Sequence, residues 1–264
     1  MRPAVIATDL DGTVVRSDGT ISPRTRAALV RAAEAGALVV VVTGRPPRWL
    51  DGIADALGHH GLAICANGAL VYDLTTERVI DSRPLDPEQV RRLMVELRAA
   101  VPGIGFAVER VDGQFAHEPD YRPRWTPEPQ TIVGNLDGVL TGPVAKVLAR
   151  LEGAGSDELL ARGRAALGEE VVDMTHSCAD GLLEISASGV TKATTLERVL
   201  AERHFGPGEV VAFGDMPNDL AMLAWAGHGV AVANAHPALL AVVDEVTASN
   251  DEDGVALVLE RLFG

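Results

Sequence analysis

Aromatic residues make up only 4% of the 264-residue chain, so its core must be built mainly from Val, Leu, Ile and Ala. Cysteine is limited to Cys65 and Cys178, which form neither a Cys-x-x-Cys pair nor a His/Cys metal pattern. That excludes a disulfide scaffold and a thiolate metal centre, and fits a reducing, cytoplasmic setting. Long hydrophobic runs are missing: stretches such as Ala37 to Val42 fall far short of the ~20 residues needed to span a bilayer. Met1-Arg2-Pro3 leads straight into a strand-like run without the layered pattern of a signal peptide, so an intracellular protein is expected. Positive charge is scarce too, with 37 acidic against 23 basic residues and a net charge of −14. This argues against nucleic acid or an anionic membrane as a partner, since both require a positive surface. A small anionic substrate stays compatible where a divalent cation or a local cluster of donors offsets the repulsion. Scarcest of all is lysine: Lys146 and Lys192 stand against 21 arginines, which draws attention to both.

What is present is ordinary globular material, 47% hydrophobic and 23% charged. A chain of this length buries roughly 70–75% of its unfolded surface and needs no staple. The first 80 residues alternate between two patterns. Ala4 to Ala7 is a short apolar run, and Ser22-Pro23 opens a helix that Gly36 stops. Leu38 to Val42 is a continuous β-branched run typical of a strand buried on both faces, a helix follows Pro46-Pro47, and Leu62 to Cys65 is strand-like. The same grammar returns near the C-terminus: helix Thr191 to Arg203, strand Val210 to Phe213, helix Asp219 to Trp225, strand Gly229 to Val232, helix Asp253 to Phe263. The middle differs. Asp86 to Ala100 reads as a helix, and Gly105 to His117 alternates in period two around Asp112-Gly113, a hairpin signal. His117 to Pro129 carries too many prolines for a helix. The expected fold is α/β, a doubly wound, mostly parallel Rossmann-like core sheet split by an inserted α+β domain. The core would comprise residues 1–82 and 188–264, and the insertion residues 83–187. His59-His60 reads as a surface turn and Cys65 as a core residue.

In an open α/β sheet, ligands bind beyond the carboxyl ends of the strands. Three predicted strands end there in polar residues: Asp9-Leu10-Asp11-Gly12-Thr13, Thr43-Gly44-Arg45, and Gly214-Asp215-Met216-Pro217-Asn218-Asp219. Asp9 and Asp11, two apart in extended chain, point the same way, and their mutual repulsion calls for Mg²⁺ or a shared proton. The Thr43 hydroxyl and the N–H groups at the following helix start suit a phosphate. Lys192 in the first turn of a helix opposes the macrodipole, so a fixed cation for a phosphoryl oxygen explains it better than helix stability does. Taken singly, an Asp-x-Asp loop is commonly a solvated turn and Thr43-Gly44 a plain connection. Their concurrence gives them weight.

These four segments, in this order and at these intervals, closely resemble the motifs of the haloacid dehalogenase-like superfamily, and more finely its Cof-type phosphatases with a large inserted cap. Asn67-Gly68-Ala69, Leu183-Glu184-Ile185, Asn234-Ala235 and Ser249 to Gly254 add to the likeness, whereas Ala193 stands where many members carry Gly. The resemblance implies that Asp9 is a nucleophile forming an aspartyl-phosphate and that Asp11 is the general acid and base. It implies Mg²⁺ held by the Asp9 carboxylate, the Asp11 backbone carbonyl and Asp215, with Asp219 behind them or bound through water. Thr43, Gly44, Lys192 and Asn218 would hold the phosphoryl oxygens. The substrate would be a small phosphorylated metabolite selected by the cap, with Tyr121, Arg122, Arg124, Trp125, His176 and Asp180 as candidate contacts. The expected assembly is a monomer or weak homodimer, without nucleic-acid or membrane partners. Competing readings are a phosphosugar mutase, a receiver-like phospho-accepting module and an idle phosphometabolite binder. An inserted lid argues against the receiver, and intact Asp9 and Asp11 argue against the binder.

Overall fold

The computed structural model describes residues 2–50, 52–53, 61–126, 128–168 and 170–264; the turn expected at His59-His60 and most of the helix expected after Pro46-Pro47 lie outside these. The chain forms two compact units, one of residues Met1–Asp81 with Lys192–Gly264 and one of Ser82–Thr191. Among the described residues no helix is long and apolar enough to cross a membrane.

In chain order the strands are β1 (Val5–Thr8), β2 (Leu38–Val42), β3 (Leu62–Cys65), β4 (Leu70–Asp73) and β5 (Arg78–Ser82), then β6 (Gly105–Arg110), β7 (Phe115–His117), β8 (Ile132–Val133), β9 (Val144–Arg150), β10 (Val172–Thr175) and β11 (Leu182–Ala187), and finally β12 (Val210–Gly214), β13 (His228–Ala231) and β14 (Glu245–Val246). The first unit holds an eight-stranded sheet in the order β14-β13-β12-β1-β2-β3-β4-β5. The pairs from β14 to β3 are parallel and the β3–β4 pair is antiparallel. The expected mostly parallel, doubly wound sheet is therefore what forms. β1 is wholly buried between its neighbours, Val5 standing opposite Val210 on one side and Leu38 on the other. Connections lead away from β1 in opposite directions, which makes the β1–β12 boundary the topological switch point of the sheet.

The helices around it follow the local chemistry. Helix α1 (Pro23–Glu34) begins with Pro at its first position and is capped by Ser22, whose Oγ accepts from the Thr25 N–H at 3.0 Å. Past its end Gly36 takes φ 94°, the left-handed conformation that stops a helix.

In the second unit, α2 (Pro87–Ala100) is capped by the Asp86 carboxylate and α3 (Ser156–Leu167) follows β9. Its sheet runs β10-β11-β9-β6-β7-β8, and the β6–β7 hairpin turns at Gly113, φ 84°. Leu93, Leu97 and Leu159 of the two helices share a core with Phe106, Val147 and Leu183 of the sheet, giving a two-layer α+β unit. The return segment supplies α4 (Lys192–Ala201), α5 (Leu220–Trp225), α6 (Pro237–Leu240) and α7 (Gly254–Phe263).

Candidate active site

Asp9 follows β1 directly, and its N–H donates to the Phe213 carbonyl at 3.0 Å, so the β1–β12 ladder itself fixes its backbone. Asp215 follows β12 and Asp219 ends the short turn Pro217–Asp219. All three side chains are buried, and one carboxylate oxygen from each lies within 4.8 Å of the others. Lys192, at the start of α4 and 1% exposed, places Nζ 2.6 Å from Asp9 Oδ1 and 2.7 Å from Asp219 Oδ1. The other oxygen of Asp219, Oδ2, accepts from the N–H groups of Asp215 and Met216 at 3.1 Å each, clamping the loop it belongs to. Thr13 Oγ1 donates to Asp215 Oδ1 at 3.2 Å.

Two glycines are required by this crowding. A Cβ on Gly12, which sits at φ 81°, would lie 2.3 Å from Asp215 Oδ2; one on Gly214 would lie 2.5 Å from the Asp219 Cβ. Both approaches are closer than carbon allows.

The electrostatics are those of a site short of positive charge. Burial, and then the neighbouring Asp9 and Asp219 charges, push the Asp215 carboxyl well above the usual range. Burial raises Asp9 as well, against the lowering effect of Lys192. Burial disfavours the Lys192 ammonium, but the Asp219 and Asp9 carboxylates outweigh it and keep the group protonated. Three convergent oxygen donors beside a single ammonium form a donor set suited to a hard divalent cation, and the residues present fit Mg²⁺.

The remaining sequence candidates are arranged around this centre. Thr43 is buried just beyond β2, with Oγ1 accepting from the Arg45 N–H at 3.1 Å, and Gly44 follows it. Asn218 donates from Nδ2 to Asn67 Oδ1 at 3.2 Å. The Asp11 side chain stands apart from the acidic cluster: it is 61% exposed, and Arg45 grips both its oxygens, Nε at 2.8 Å and NH2 at 2.5 Å. Three contacts were not foreseen in the sequence: Thr13 on Asp215, Arg45 on Asp11, and Asn67 on Asn218. All three residues stood within noted motifs, but nothing local to them marks which distant partner they meet. Behind them Asn234 Nδ2 donates to the Gly12 carbonyl at 2.8 Å, and Asn250 links Asn234 to Val15.

The six candidate specificity residues all lie in the second unit. Tyr121 is buried against the His117 ring at a centroid distance of 5.8 Å, and His176 Nε2 meets Asp157 Oδ1 at 2.8 Å. Asp180 pairs with Arg124 and, at 2.9 Å, with Arg150; Arg122 pairs with Glu152 at 2.8 Å. Asp120, Arg122, Arg124, Arg150 and Asp180 help to line a cavity of about 590 Å³.

A family model described as haloacid dehalogenase-like hydrolase matches residues 6–259. The chain is 32% identical over 276 residues to the 5-amino-6-(5-phospho-D-ribitylamino)uracil phosphatase YitU of Bacillus subtilis, an alignment spanning 99% of this chain and 98% of the relative. It is 29% identical over 265 residues to the pyridoxal phosphate phosphatase YbhA of Escherichia coli, covering 97% of each. Among solved structures, a haloacid dehalogenase-like hydrolase from B. subtilis matches with a TM-score of 0.84 and 26% identity, over 98% of this chain and 99% of that one.

Proposed function

The chain belongs to the haloacid dehalogenase-like hydrolases and is a phosphoric monoester hydrolase of that superfamily; from this we propose that it is a Mg²⁺-dependent phosphatase of a small phosphorylated metabolite, a sugar phosphate or a phosphorylated coenzyme, working through an aspartyl-phosphate. The observation that carries the proposal is the buried cluster at the switch point, where Lys192 binds Asp9 and Asp219 beside Asp215. The phosphate esters named for the two relatives support the substrate class.

Asp9 is the nucleophile. Lys192 holds its Oδ1, leaving Oδ2 to attack phosphorus and form the new P–O bond as the ester P–O bond breaks. Asp11 gives its proton to the departing oxygen; in the second half-reaction it takes a proton from the water that attacks phosphorus and releases the Asp9 carboxylate. Thr43, the Gly44 N–H, Lys192 and Asn218 orient the phosphoryl oxygens, the positioning that phosphoryl transfer mainly requires. Mg²⁺ would be held by Asp9, the Asp11 carbonyl and Asp215, with Asp219 behind, and supplies positive charge to the phosphoryl group. Residues 83–187 act as the substrate-selecting cap, the core carrying the chemistry.

The test is hydrolysis of a panel of phosphate esters. EDTA should abolish phosphate release and Mg²⁺ restore it, and Asp9→Asn should form no acid-stable phosphoenzyme. Full activity after metal stripping, or near-normal turnover by Asp9→Asn, refutes the reading.

A further inference from the structure

Between β3 and β4 the backbone takes positive φ at three successive residues, Ala66 at 51°, Asn67 at 56° and Gly68 at 110°. Glycine adopts this freely; alanine does so only under strain, which persists where the surroundings over-determine it. Here they do. The Ala66 N–H donates to the Arg45 carbonyl at 3.0 Å and the Asn67 N–H to the Thr43 carbonyl at 3.1 Å. The Gly68 carbonyl accepts from Thr195 Oγ1 at 2.8 Å, one helical turn beyond Lys192 on α4. One small turn is thus fastened to the strand end that carries Thr43 and to the helix that carries Lys192.

The product of that arrangement is the position of the Asn67 side chain. Asn67 is 3% exposed, and its Oδ1 is occupied by the Asn218 amide. Its Nδ2 is buried and has no hydrogen-bond partner. Buried amide donors are almost always satisfied, so an orphaned one beside Asn218 and Thr43 points to an acceptor that arrives with a ligand. The acceptor with the right chemistry for a donor paired to Asn218, on a turn tied to the Thr43 backbone and to the helix of Lys192, is an anionic oxygen. We propose that Asn67 is a further phosphate-binding residue, its Nδ2 donating to a phosphoryl oxygen while Asn218 fixes the orientation of the amide. This rests on the phosphatase reading above. It assigns a role to the strained turn that packing alone leaves without one, since a glycine at 67 would adopt the same backbone more easily.

Two variants separate binding from scaffolding. Asn67→Gly suits the left-handed backbone and removes the amide without adding charge. Asn67→Asp keeps an oxygen for Asn218 and tolerates the same φ, but lacks the donor. Each is compared with wild type, in Mg²⁺, by the inhibition constant of inorganic phosphate against p-nitrophenyl phosphate hydrolysis, by KM for that ester, and by thermal melting. A lost hydrogen bond to a charged group should raise the phosphate inhibition constant and KM ~10-fold or more in both folded variants. Phosphate affinity within twofold of wild type in either folded variant overturns the assignment, whatever happens to the melting temperature. If wild type itself neither hydrolyses esters nor binds phosphate, the failure belongs to the phosphatase reading and takes this assignment with it.

Discussion

Gly12 offers the sharpest quantitative test of the acidic cluster, because the chain supplies its own control. Gly12 and Gly19 share nearly the same left-handed backbone, φ 81° and 83°, but a Cβ at Gly19 meets nothing within 4 Å whereas one at Gly12 would sit 2.3 Å from Asp215 Oδ2. Alanine at either position incurs the left-handed penalty, about 1–2 kcal/mol. At Gly12 the clash adds an overpacking cost of roughly 1–3 kcal/mol, since the obstacle is a short, hydrogen-bonded carboxylate rather than the end of a flexible chain. With about 2–4 °C lost per kcal/mol in a protein of this size, Gly12→Ala should melt roughly 2–12 °C below Gly19→Ala. The displaced oxygen belongs to a proposed metal ligand, so Mg²⁺ affinity should also fall, on the order of 10–100-fold, in Gly12→Ala alone. Scanning calorimetry and Mg²⁺ titration calorimetry on both variants give the two readouts. If the variants melt together and bind Mg²⁺ equally, the close approach of the Gly12 loop to Asp215 is not a constraint, and the cluster described above is wrong in its central contact.

Two further outcomes follow from the same structure. Asp11→Asn should preserve the buried cluster, in which its side chain takes no part, yet slow turnover on the order of 10²–10⁴-fold by removing both proton transfers; stopped-flow and steady-state assays over the ester panel check it, and a variant within tenfold of wild type would transfer the acid–base role elsewhere. Cys178 should react sluggishly with iodoacetamide: burial first, with the Asp180 hydrogen bond, pushes its thiol from 9.0 up to about 11, so at pH 8 the reactive thiolate is depleted about 100-fold relative to an unperturbed cysteine. Its rate, followed by peptide mass mapping, should climb about tenfold per pH unit up to pH 10, and rapid labelling at pH 8 would contradict the half-buried environment beside Asp180.

The parts of the fold that could be read in the sequence are those where one physical requirement dominates. β1, β2 and β3 are buried on both faces and appear as unbroken apolar runs, and the chemistry-bearing residues follow directly because strand ends in a parallel sheet are where polar groups can gather. Ser22-Pro23 and Asp86-Pro87 mark their helices through capping alone. Other elements hide because two requirements compete. Every residue of β9 is buried, but Lys146 and Arg150 interrupt its apolar pattern, since each is compensated by a carboxylate distant in sequence, Glu184 or Asp180. β5 is hidden for the opposite reason, as an edge strand whose residues are mostly exposed. α3 carries Gly163, a poor helix former, where a Cβ would come within 3.0 Å of Leu183; packing against the sheet overrides propensity. Asn67 and Arg45 act through contacts to residues 151 and 34 positions away, and their local sequence encodes neither.

The two lysines show how charge balance distinguishes structure from function. Both are buried, and each has a carboxylate oxygen 2.6 Å from its ammonium. Lys146 meets Glu184 on the neighbouring strand. Lys192 instead answers to Asp9 and Asp219 at once, with Asp215 close by, so in this cluster negative groups outnumber positive ones. A folded chain gains nothing from an uncompensated buried carboxylate, which would be more stable replaced or protonated. The imbalance is what the divalent cation and phosphoryl group of the proposed function would complement, and packing alone gives no reason for it.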